Sequence, residues 1–105
     1  MATSGFEIVY DEEVASHLAA IEPRYHGLIR QGIEQQLRHQ PAIATRNRKP
    51  LRQPAPSGAT WEMRCGRDNR FRIFYRVDEE QRVRVLAIGV KRRNRLWIGG
   101  REIER

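Results

Sequence analysis

Residues 61–95, WEMRCGRDNRFRIFYRVDEEQRVRVLAIGVKRRNR, constrain this chain more than any other stretch. Apolar side chains alternate with arginines over Trp61–Cys65, 70–77 and 82–90, and turn-rich segments at 66–69 and 78–81 separate the runs. Alternation with period two marks strands with one buried face, so the pattern predicts two antiparallel hairpins sharing a central strand.

Loop length then sets which residues oppose one another. A three-residue loop at 79–81 puts Val77 opposite Val83, Tyr75 opposite Val85 and Ile73 opposite Ala87, which makes one face wholly apolar. A two-residue loop would carry Arg82 and Arg84 into the core, where an unpaired charge costs several kcal/mol or more. A three-residue turn at 67–69 likewise pairs Met63 with Ile73 and Arg64 with Arg72. In this register the outer face carries Arg64, Arg72, Arg76 and Arg84, with Phe74, Leu86 and Ile88 among them, and counting on adds Arg92. Opposed like charges destabilise a sheet. A face that accepts them is either well solvated or built to meet an anion.

The charge balance bears on that choice. The net charge is +7, with 18 arginines and only 2 lysines, while the first 22 residues hold five acids and no lysine or arginine. This asymmetry suits a polyanion or an acidic protein as partner, and the arginine excess suits bidentate phosphate contacts or reflects a biased genome. Cys65 is the only cysteine, so neither an internal disulfide nor a cysteine-based metal site is expected. No basic region followed by an apolar run opens the chain, and no apolar segment nears the roughly 18 residues of a membrane span. A single cytoplasmic domain over 1–105, without a cofactor or metal, is the expectation.

Phe6, Ile8 and Tyr10 mark a first short strand. Asp11 is placed to cap a helix carrying Val14, Leu18 and Ile21, and Pro23 ends it and opens a second helix reaching about Gln40, with Tyr25, Leu28, Ile29, Ile33 and Leu37 on one stripe. Gly32 inside that helix suggests a close approach to the first one. His17, His26 and His39 read as boundary or solvent-side residues. Residues 41–60 hold four of the five prolines and read as a long basic loop, either a linker or a clamp on nucleic acid or a partner, and 96–105 read as a short last strand or a tail.

The order β-α-α-β-β-β predicts an α+β fold, an antiparallel sheet with a helical hairpin packed on one face. With HLAAI, KPLRQ, WEMRCG, FRIFYRVD and VRVLAIGVKRR in this order, the chain resembles the RelE/ParE superfamily of bacterial toxins from type II toxin–antitoxin pairs. The resemblance implies a RelE-like, microbial ribonuclease-like sheet and a cognate antitoxin protein as partner. In the RelE branch the toxin cuts mRNA on the ribosome without a metal. In the ParE branch it poisons DNA gyrase and cleaves nothing.

Carried over residue by residue, the RelE pattern implies a catalytic set of Arg64, Arg72, Lys91 and Arg92, holding the scissile phosphate and its transition-state charge. One such contact typically supplies about 2.7–4 kcal/mol. Arg76, Arg84, Arg93 and Trp97 complete the implied RNA-binding surface, Trp97 by stacking on a base. Two positions depart from the pattern: a further basic position is Glu62 here, and the tyrosine near the carboxyl terminus is Ile98. The general base therefore stays open between Lys91 and Glu62, with Lys91 as a plain phosphate contact the alternative. A ribosome-dependent mRNA endonuclease is the leading expectation. A gyrase poison, or an inactive relative that binds antitoxin or nucleic acid, is the alternative.

Overall fold

The computed structural model describes residues 5–55 and 57–103. The first four residues, Pro56 of the expected loop and the last two residues of the tail lie outside them. In chain order the elements are β1 (Glu7–Tyr10), α1 (Val14–Ala19), a 3-10 turn at Pro23–Tyr25, α2 (His26–Leu37), β2 (Arg48–Pro50), β3 (Trp61–Cys65), a 3-10 turn at Arg67–Asn69, β4 (Phe71–Val77), β5 (Arg82–Arg92), β6 (Arg95–Ile98) and β7 (Arg101–Ile103).

Strands β2 to β7 follow one another across an antiparallel sheet in sequence order. β1 joins as the one parallel pair among the described residues, against the first part of β5, with Glu7 opposite Arg82 and Tyr10 opposite Val85. β6 takes the last part of the same edge, from Gly89 opposite Ile98 to Arg92 opposite Arg95. The α+β class, the sheet and the helices on one face agree with the expectation. Residues 95–103 instead form a hairpin, and the 41–60 stretch contributes β2.

The predicted register holds at the start of both hairpins. Met63 faces Ile73, Arg64 faces Arg72, Val77 faces Val83, and Arg76 faces Arg84. It fails halfway along β5. Tyr75 faces Val85 but Phe74 faces Ala87, so Leu86 is an extra residue in a β-bulge. From there Ile73 meets Ile88 rather than Ala87, and Phe71 meets Val90. Ile88, expected on the outer face, is buried against the helices.

That core joins Val14, Ile21, Ile29, Ile33 and Leu37 to the inward residues of β3, β4 and β5. Each such side chain contributes about 1.5–3 kcal/mol by leaving water. Leu28 of the expected helical stripe is exposed, and α2 ends at Leu37 rather than near Gln40. α1 starts later than Asp11 predicts, because the Asp11 carboxylate accepts the Glu13 amide at 3.2 Å and closes a turn before the helix. Gly32 approaches β3, not α1: a Cβ there would meet Cys65 at 3.4 Å.

The 41–60 segment is pinned rather than loose. Arg48 is buried, its guanidinium donating to the carbonyls of Gln36 at 2.5 Å and Ile43 at 3.1 Å. The Tyr75 hydroxyl donates to the Pro41 carbonyl at 2.7 Å. No helix among the described residues is long and apolar enough to cross a membrane.

Candidate functional site

The helix-free face of the sheet holds the arginines, but it is not simply basic. A second apolar cluster lies on it: Phe74, Ala87 and Leu96 with Leu51, Leu86, Ile98 and Ile103 packed around them. Phe74, expected among exposed arginines, is buried at its centre. Residues 51–55, Ser57 and the β6–β7 hairpin line a groove of about 1030 Å³ over this cluster. A smaller cavity of about 410 Å³ continues from it and is lined by Glu62, Arg72, Lys91 and Arg95.

Glu62 governs the electrostatics. Its side chain is only 2% exposed, opposite Phe74 in the ladder. Arg72 donates to its carboxylate at 2.7 Å, and Arg64 stands at 3.5 Å from the same oxygen. Arg72 also donates to the Asn69 carbonyl at 2.9 Å and is 12% exposed. The two arginines do share a face, as the register predicts, and they share it with a buried acid whose single charge offsets one of their two.

The other implied residues divide. Arg76 and Arg84 lie on the same face further along β4 and β5, where Asp78 pairs with Arg84 at 3.7 Å. Lys91 joins Arg72 at the smaller cavity. Arg92 does not: past the bulge Ile88 and Val90 point to the helices, so strand alternation sends Arg92 to that side and Lys91 to the outer one. Arg93 sits in the two-residue turn between β5 and β6, exposed. Trp97 opposes Val90 on the helix side, which removes it from the outer face, while its neighbour Ile98 packs into the groove. At the position of the implied tyrosine the groove therefore receives the aliphatic Ile98, and its one aromatic lining residue among the described residues is the buried Phe74.

Sequence reasoning missed His17. It bridges the gap that β1 and β6 leave on the β5 edge, its Nδ1 accepting the Ile88 amide at 3.2 Å, and it borders the groove. Burial holds its pKa below the usual 6.5, against an upward pull from Glu13 and Asp11. His26 is structural, with Nε2 at 2.8 Å from the carbonyls of both Leu18 and Ile21 at the end of α1. Burial pushes the Cys65 thiol up to about 11, so it is a packing residue and not a nucleophile. Among the described residues no cluster of three metal-ligating side chains occurs.

The arrangement offers an apolar groove with charged ends and an Arg72 tied to a buried acid, which suits a bound protein segment. No curated protein and no solved structure matches the chain. One family model does, described as ParE toxin of type II toxin-antitoxin system, parDE, over residues 8–95. That match runs from β1 through the turn after β5, so the chain belongs to the ParE toxin family of type II toxin–antitoxin systems, a membership that implies a cognate antitoxin.

Proposed function

We propose that this toxin arrests growth by binding a protein target, DNA gyrase, and not by cutting mRNA. The observation that carries the reading is the buried Glu62 carboxylate. It occupies Arg72, the residue a nuclease would use on the scissile phosphate. By ladder register Arg92 and Trp97, also needed in that scheme, fall on the side of the sheet opposite Arg72. The apolar groove supplies contact area for a protein partner, with Lys49 and Arg52 on one wall and Asp11 and Glu13 at its border.

The second reading, a ribosome-dependent mRNA endonuclease, has one observation in its favour. Arg72 and Lys91 converge on the same cavity, as a phosphate site requires. Induced expression in a bacterium separates the two. Growth arrest with trapped gyrase–DNA complexes and unchanged mRNA 5′ ends is the expected result. New 5′ ends inside translated codons, lost in Arg72→Ala, would replace it with the nuclease.

A further inference from the structure

The alternating strands bring the turns at 66–70 and 93–94 to one end of the sheet, where the Lys91 amide donates to the Arg70 carbonyl at 2.7 Å. The segment before β2 reaches the same end, since the Arg64 amide donates to Asn47. This rim carries Arg46, Arg67, Arg92 and Arg93, all exposed. Among the described residues none of the four has a carboxylate partner. Asp68 is the one acid in these turns.

The opposite end of the sheet is built differently. There Asp78 pairs with Arg82 and Arg84, and Glu80 pairs with Arg82. Glu7 stands opposite Arg82 in the ladder. The turn rim thus gathers four exposed arginines without carboxylate partners, whereas Arg82 and Arg84 at the opposite end are paired. The rim is separate from the groove, and its reading does not rest on the gyrase target.

We propose that this rim is a binding surface for the phosphate backbone of duplex DNA. Guanidinium groups on short turns present paired donors to phosphate oxygens. Two strand spacings separate the turns, about 10 Å, which suits entry at the roughly 12 Å major groove of B-form DNA. The deep, narrow major groove of an RNA duplex does not admit such a pair. Single strands are held by stacking on exposed aromatic rings. At this rim Phe71 is buried, and Tyr25 lies half-buried beneath the Arg24 and Arg70 guanidinium groups.

The four arginines set the expected salt dependence, a log–log slope of about −3.6 for B-form DNA. The test is anisotropy titration of the purified full chain with a short fluorescent DNA duplex at about 50 to 200 mM salt, beside its single strand and an RNA duplex of the same sequence. In Arg67→Gln/Arg93→Gln the slope is expected to shrink by about 1.8, while Arg76→Gln, on the outer face nearer the other end, leaves it unchanged. Circular dichroism melts check that each variant is folded, and the single Arg67→Gln, with a slope change of about 0.9, stands in if the double variant is not. Absence of binding at the lowest salt, an unchanged slope in the rim variant, or tighter binding to the single strand or the RNA duplex would each overturn the proposal.

Discussion

Replacing Glu62 by Gln tests the central feature of the outer face. The carboxylate is 2% exposed and holds Arg72, itself 12% exposed, at 2.7 Å. Removing one member of a buried ion pair costs about 3–5 kcal/mol, because the other charge is left without its partner. Three features reduce that figure. The amide oxygen of Gln still accepts one hydrogen bond from Arg72. Arg72 keeps the Asn69 carbonyl. Arg64 is 29% exposed, so water screens its share of the loss. About 2 kcal/mol remains, which corresponds to a fall in Tm of about 8–16 °C for a domain of this size. Urea unfolding followed by tryptophan fluorescence measures it directly, since Trp61 adjoins Glu62 in β3. The midpoint is expected to drop with an unchanged denaturant slope. Adding Arg72→Met should recover part of the loss, because two well-packed neutral groups leave no charge unpaired. A loss below about 0.5 kcal/mol, the range of an ordinary surface substitution, would refute the claim that Glu62 neutralises a dry arginine.

Three further outcomes follow from particular contacts. Tyr75→Phe removes the donor to the buried Pro41 carbonyl and should cost about 1–3 kcal/mol, read from the urea midpoint. Gly89→Ala places a methyl 2.9 Å from Leu96 and 3.0 Å from the Trp97 carbonyl, so β6 must move; a loss of about 1–3 kcal/mol in thermal melts is expected. His17 has a depressed pKa in the folded chain, so the unfolded chain binds its proton more readily. Its contribution is present above the usual value of 6.5 and is lost as pH falls through the lower folded value. His17→Asn, which keeps an acceptor for the Ile88 amide without a titrating ring, should flatten that part of the stability–pH curve measured by urea titration.

The legible parts of this chain are those where apolar and charged residues alternate. Arg64 against Arg72 and Val77 against Val83 were fixed because one register buries arginine and the other does not. The stretch 85–90, VLAIGV, carries no such information. Both registers bury apolar side chains there, so periodicity cannot detect the extra Leu86. The turn signal for the β6–β7 hairpin was present: Gly99 and Gly100, both at positive φ, stand between LWI and REI. β2 was hidden by its three-residue length and by Pro50, which suits only an edge strand. Glu62 could be seen as an acid among arginines, but its burial depends on residues 51–55 and the β6–β7 hairpin that cover the outer face.

The bulge explains why the arginine pattern and the site diverge. One extra residue in β5 turns Ile88 inward and leaves Gly89 outward, opposite Arg72. Without a side chain at Gly89, Leu96 and Ile98 of β6 close down over β5, as the short distances to a Cβ placed there indicate. Leu96 and Ile98 become part of the apolar cluster around Phe74, and Arg72 lies beside that cluster, largely out of water. A guanidinium in such a place needs a carboxylate, and Glu62 supplies it. Any RNA phosphate that took Arg72 would have to displace Glu62 and leave that acid buried without its nearest partner. This exchange costs about as much as the roughly 2.7–4 kcal/mol that a catalytic charge contact returns. A protein segment laid in the apolar groove requires no such exchange, because it leaves the Glu62–Arg72 pair intact beneath it.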